Sequence, residues 1–197
     1  MRIITRRIAG LEHGSWDREA EALVTRTFDT LAPEWHTRTS PERTAIVHDA
    51  LSRGLDPLLG GSGLCVEVGS GIGTYTPLLE SRFDVLLTVE LSWQMLARAP
   101  ETGRKVQADG GRLPVRDGAA DAVVLINAFL FPAEVARALH VGGVLLWVNS
   151  SGDQTPIYLS TADVVSALPF PVRGVESRAG AGAWCALVKT HDSATSS

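Results

Sequence analysis

The chain has 197 residues, 45% of them hydrophobic, 20% charged and 6% aromatic with 19 glycines, which suits one domain on one core and excludes disordered, collagen-like and coiled-coil chains. A net charge of −4 argues against a surface devoted to neutralising phosphates, so nucleic acid is not an expected partner. No apolar run reaches the roughly 18 to 20 residues that span a bilayer, and the opening residues alternate charge with short apolar pieces instead of forming a signal-peptide core, so the expectation is a cytoplasmic protein with no membrane partner.

Along the chain, Ala20, Leu23, Val24, Phe28 and Leu31 fall at helix spacing, and Ile46, Val47, Ala50, Leu51 and Leu55 form a second stripe. Ser40 suits the cap of that second helix and Pro41 its first position. Residues 32–39 read as a polar connector carrying Trp35 and His36. Gly60-Gly61-Ser62-Gly63 then breaks the helical pattern. Short apolar runs at 64–68, 85–89, 105–108, 122–126 and 144–148 alternate with helical stretches at about 72–81, 92–99 and 133–139, a βαβα rhythm of strands buried on both faces, as in a parallel sheet. A helix starting at Ser160, boxed by Asp163 and closed by Pro169, precedes two last runs, 172–178 and 183–189. The four residues between those runs are too few for a crossover, which predicts an antiparallel hairpin. Residues 192–197 read as a tail. Cys65 and Cys185 lie in apolar runs and are expected as buried thiols of a reducing compartment, without a disulfide. His13, His48 and His191 share no ligand spacing, so no metal site is expected.

The most informative stretch is Cys65-Val66-Glu67-Val68-Gly69-Ser70-Gly71-Ile72-Gly73, a strand that ends in a glycine-rich turn and opens a helix, where backbone amides can meet a ligand. Glu90 ends the next strand, where an acid can accept both hydroxyls of a ribose; Asp109 follows the third strand and Asn127 ends the fourth. All lie at the carboxyl edge of one sheet, where open α/β folds bind ligands.

These residues resemble the class I S-adenosylmethionine-dependent methyltransferases, and particularly their small-molecule branch. Residues 67–73 match the family's ExGxGxG loop, which implies Gly69, Ser70, Gly71 and Gly73 along the methionine part of the donor and Glu67 near its amino group. Glu90 matches the ribose acid, and 91–96 resembles the following stretch, implying Leu91 and Met95 against the adenine. Ala108 and Asp109 match the adenine-proximal motif, and Asn127 ends the strand facing the donor. Phe28-Asp29-Thr30-Leu31-Ala32-Pro33-Glu34-Trp35 resembles the FDxxAxxY stretch that precedes the core in ubiquinone-biosynthesis-type enzymes. The resemblance implies a Rossmann-like seven-stranded, mostly parallel sheet in the order 3-2-1-4-5-7-6, strand seven antiparallel, with helices on both faces. It implies a single domain over residues 1–197: an N-terminal helical lid at 1–59, a donor-binding core at 60–191, and the tail.

The implied reaction is methyl transfer from S-adenosyl-L-methionine to an O, N or C atom of a small organic molecule, leaving S-adenosyl-L-homocysteine. If the acceptor needs a base, His36 is the candidate, with Tyr75, Asp153 and Tyr158 behind it. A non-catalytic donor-binding subunit is one alternative. An NAD(P)-dependent oxidoreductase is another, disfavoured because its GxGxxG fingerprint would need glycine at Thr74. After strand four stands Asn127-Ala128-Phe129-Leu130, without the Pro-Pro-aromatic motif of nucleic-acid amino methylation, and there is no Pro-Cys pair for cytosine chemistry.

Overall fold

In the computed structural model, which describes residues 1–191, period-two alternation in the apolar runs decides how the sheet is covered. On β1 (Leu64–Val68), Val66 and Val68 enter one core cluster and Cys65 the other; on β4 (Ala120–Ile126), Val123 and Leu125 oppose Ala122, Val124 and Ile126 in the same way. Both faces of these strands are therefore dry, which requires helices on both sides. One face receives α3 (Pro41–Asp49), the π-helical continuation Ala50–Leu55 and α4 (Thr76–Glu80); the other receives α6 (Pro132–Ala138), α7 (Thr161–Ala167) and residues of the N-terminal segment.

Seven strands pair in the order β3-β2-β1-β4-β5-β7-β6, with β2 (Val85–Glu90), β3 (Arg104–Gln107), β5 (Leu139–Asn149), β6 (Val172–Ala179) and β7 (Gly182–Lys189) completing the sheet. The pairs among β1 to β5 are parallel, and β7 runs antiparallel to both β5 and β6. This is the expected Rossmann-like α/β architecture. The final hairpin is tighter than its sequence suggests, because Ala179 pairs with Gly182 and leaves only two loop residues, one of them Gly180 at φ +55°.

Other boundaries move for physical reasons. The expected helix at 72–81 begins only at Thr76, because glycines at φ +59° and +72° (Gly71 and Gly73) hold the chain outside the right-handed helical region. The expected helix at 92–99 contracts to α5 (Trp93–Leu96). β5 starts five residues early, at Leu139, which pairs with Ala120 ahead of an irregularity in register. The connector at 32–39 is a 3-10 helix over Ala32–Arg38, and an additional helix, α1 (Arg2–Ile8), precedes α2 (Arg18–Leu31). Two turns are too few for a legible apolar stripe in α1, whose place is set by long-range contacts: Arg6 bonds Asp163 at 3.1 Å and Arg2 donates to the carbonyl of Asp153.

Cys65 and Cys185 are both buried and free. They lie on opposite faces of the sheet and three strand spacings apart, about 14 Å, beyond the reach of a disulfide. Among the described residues, no helix is long and apolar enough to cross a membrane and no cluster of His, Cys, Asp or Glu could hold a metal ion. The expected tail, 192–197, lies outside the described residues.

Candidate active site

The parallel strands deliver their carboxyl ends to one edge, and there a cavity of about 400 Å3 opens, a size suited to a small organic ligand. Its floor carries Gly69, Ser70 and Gly71 after β1, Glu90 and Leu91 at the end of β2, Met95 on α5, Ala108 and Asp109 after β3, and Asn127 after β4. These nine of the expected donor contacts are brought together. The roof comes from the N-terminal segment, with Met1, Trp16, Phe28 and Trp35 on the wall.

Glu90 is the best-defined group. Its carboxylate is 7% exposed, one oxygen accepting from the amide of Gly71 at 2.8 Å and the other from the amide of Ser92 at 2.8 Å. Burial pushes this carboxyl above its ordinary range, while the amides of Ser92 and Gly71 pull it back. Each oxygen keeps a further lone pair for a hydroxyl of a ligand. Asp29 supports the same corner from α2, accepting from the Ser92 hydroxyl at 2.5 Å and the Gln94 amide at 3.3 Å.

Asp109 accepts from the indole N–H of Trp16 at 2.9 Å and from the amide of Gly111 at 2.8 Å. Trp16 packs against Phe129 and Phe131, with ring centroids 6.2 and 5.5 Å away, so the roof is bonded to the floor at this end. Asn127 adopts φ +53°, uncommon for a residue with a side chain. Its amide group bonds Ser150, donating to the hydroxyl at 2.8 Å and accepting from the Ser150 backbone at 2.9 Å. The hydroxyl of Ser70, on the cavity wall, is shielded from solvent and has no hydrogen-bond partner, which marks a polar position a ligand can satisfy.

Three expected site residues lie elsewhere. His36 is exposed on the 3-10 helix and does not line the cavity, because the helical turn that brings Trp35 inward carries its neighbour outward. Gly73 also lies off the wall. A side chain there would meet Pro100 at 2.8 Å, so this glycine serves close packing of the loop against the chain after α5. Glu67 is buried below the loop, accepting from the Thr76 hydroxyl at 2.6 Å. Among the reserve bases, Tyr75 lines the cavity and Asp153 and Tyr158 do not. Trp16 and Ser150 were not legible in the sequence, since neither belongs to a periodic stripe or a motif, and Asp29 stood in the FDxxAxxY-like stretch without a contact assigned to it.

Burial pushes the Glu67 carboxyl up to about 7, with the Thr76 bond opposing and the Glu90 carboxylate adding to the rise. Because the folded value lies above the unfolded one of 4.5, the native state holds the extra proton between them, and stability falls as pH rises from about 4.5 to about 7. Glu67→Gln keeps an acceptor for Thr76 without the charge. Thermal unfolding across that range is expected to show the variant more stable than the wild type above pH 7, by up to about 3 kcal/mol, and an unchanged pH profile would remove Glu67 as its source.

At Gly71 the chain sits at φ +59°, and an added Cβ would stand 3.5 Å from the indole nitrogen of Trp35. Gly71→Val is therefore expected to lower thermal stability by about 1 to 2 kcal/mol of backbone strain and to weaken binding of S-adenosylhomocysteine more than tenfold, since the branch enters the cavity. Calorimetric titration beside thermal unfolding checks this; normal binding by an earlier-melting variant would reduce the glycine to a turn residue.

Residues 66–146 match the family model described as a methyltransferase domain. No curated protein matches the chain. Among solved structures, the DhpI complex with S-adenosylhomocysteine superposes with a TM-score of 0.66 at 20% identity, covering 84% of this chain and 95% of that one. A chain from the complex of the Haloferax volcanii Trm112 methyltransferase activator with a methyltransferase gives 0.69 at 15%, covering 83% and 98%. An S-adenosylmethionine-dependent methyltransferase from Aquifex aeolicus gives 0.57 at 15%, covering 74% and 97%. At these identities the superpositions speak for the fold. The family match runs from the glycine-loop strand to the fifth strand, over the segment that builds the cavity floor, so the chain carries a region similar to a methyltransferase domain within the Rossmann-like fold that the solved methyltransferase structures share.

Proposed function

We propose that the cavity binds S-adenosylmethionine and a small organic acceptor together and that the protein transfers the donor's methyl group to an O, N or C atom of that acceptor. The observation that carries the reading is Glu90, a buried carboxylate held by the Gly71 and Ser92 amides with lone pairs left toward the cavity. In this reading Glu90 holds the ribose hydroxyls, Leu91, Met95, Ala108 and Asp109 border the adenine, and Gly69 to Gly71, with Ser70 and Asn127, border the methionine part. The unpartnered Ser70 hydroxyl and the open lone pairs of Glu90 fit a ligand rich in hydroxyl and amino groups. His36 has no role in it.

When bound, the donor supplies a methyl group already activated on a sulfonium, so the protein's main task is alignment. The wall residues confine the acceptor, and the N-terminal segment, residues 1–59, acts as a lid that keeps water from the carboxyl edge. The narrower likeness to ubiquinone-biosynthesis-type enzymes rests on residues 28–35 alone.

Titration with S-adenosylhomocysteine, NAD and NADP in parallel tests the donor before any acceptor is known. Binding of S-adenosylhomocysteine alone is expected, and binding of a nicotinamide nucleotide instead would overturn the reading. A second reading, a chain that turns over only with a partner protein, draws on the activator complex among the structural neighbours. Single-turnover methylation by the isolated chain would refute it.

A further inference from the structure

Glu90 and Asp109 are the acids of the cavity wall, and both are engaged by amide or indole N–H groups. The wall also carries two cations, Arg38 and Arg43. Neither forms an ion pair among the described residues. Half-buried Arg43 donates to the carbonyl of Arg38 at 2.5 Å, and the Arg38 guanidinium lies 5.4 Å from the ring centroid of Trp35. Two acids lie nearby on α3, and neither pairs with Arg38 or Arg43 among the described residues. Asp49 takes Arg53 at 3.0 Å and the Trp184 indole at 2.8 Å, while the Ser40 hydroxyl holds the Glu42 carboxyl below its ordinary range. A guanidinium without a counter-charge beside apolar walls is costly in isolation and matches the planar oxygens of a carboxylate or phosphate.

Position argues for the acceptor as the source of that anion. Arg43, Ser150 and Ser151 also line a second, more open depression of about 570 Å3 between α3 and the β6–β7 turn, so Arg43 stands where the deep cavity meets a surface opening. Beside it, Phe28 and Trp35 form an edge-to-face pair, centroids 5.6 Å apart at 67°, on the cavity wall. Resting on the donor reading above, we propose that Arg38 and Arg43 are the anion-recognising end of the acceptor subsite, and that the methyl acceptor is a small molecule with an apolar, ring-sized body and a carboxylate or phosphate group. The ring packs against Phe28 and Trp35; the anion bridges the two guanidinium groups; the polar walls of the opening, Ser150 and Ser151, admit it.

The test uses the full chain saturated with S-adenosylhomocysteine and titrates benzoate, phenyl phosphate and the neutral benzamide. At least one anion is expected to bind tenfold or more tightly than benzamide, and which one separates carboxylate from phosphate. Arg43→Met, which keeps the length of the stem, is expected to weaken that anion at least tenfold with less than threefold change for S-adenosylhomocysteine; Arg38→Met repeats the test where Arg43→Met melts early. Equal binding of anion and benzamide, or an anion affinity untouched by both variants, overturns the proposal. So does an Arg43→Met protein that loses S-adenosylhomocysteine but keeps 5′-methylthioadenosine, because the arginine would then serve the donor's own carboxylate. Wild-type protein that binds no S-adenosylhomocysteine fails the donor reading itself, and the acceptor subsite falls with it.

Discussion

Glu90→Ala is expected to weaken S-adenosylhomocysteine binding about ten- to a hundredfold, because two hydrogen bonds from the ribose hydroxyls to a charged acceptor, worth about 1.5 to 3 kcal/mol together, are lost. The structure adds a second cost. The amides of Gly71 and Ser92 lose the oxygens that hold the glycine loop to the end of β2, so the remaining donor contacts are also less ordered. Glu90→Gln is a sharper probe than it looks. Both carboxylate oxygens accept from backbone N–H groups, and a carboxamide must turn its own NH2 toward one of them, setting donor against donor. The amide variant is therefore expected to fall close to the alanine variant and far from the wild type. Calorimetric titration of the three proteins measures it, and a dissociation constant unchanged in Glu90→Ala would remove Glu90 from the ribose.

Removal of residues 1–38 is expected to abolish methyl transfer while leaving S-adenosylhomocysteine binding about tenfold weaker, the equivalent of one lost wall contact. The cut falls just before Ser40, whose hydroxyl caps α3 by accepting from Arg43 at 3.3 Å, so α3 keeps its start. What goes is the roof: Met1, Trp16, Phe28 and Trp35, the Trp16 bond to Asp109, and the Asp29 bonds to α5. Because Ala9 and Val24 belong to the core cluster on that face, the truncated protein is also expected to melt earlier. Trp35→Ala separates covering from folding, since its ring is only partly buried and stands over Gly71. The same pattern, turnover lost and donor binding largely kept, is expected there with little change in melting. A truncated protein with full turnover would refute the lid and shift the acceptor contacts to the segment around Thr155, which also lines the cavity.

What the sequence determined by itself is the part written in neighbours along the chain. Apolar runs of five residues carry their own strand signal, and the absence of polar alternation forces both faces to be covered, so a parallel sheet was legible from 64–68, 122–126 and 144–148. Glycines 69 and 71 and the acids that end or follow successive strands mark the carboxyl edge for the same reason: a strand end and the turn after it are adjacent in sequence. Tertiary structure decided the rest. Trp16 meets Asp109 across 93 positions and Asp29 meets Ser92 across 63, contacts that no periodicity encodes because they arise only when the N-terminal segment lies over the sheet edge. The rotation of a 3-10 turn chose Trp35 for the cavity and sent His36 to solvent, and the approach of Pro100 holds Gly73 in close packing off the cavity wall. Glu67 shows the same limit, because its spacing is that of a donor contact and only the depth of β1 beneath the loop turns it into a buried carboxyl bonded to Thr76.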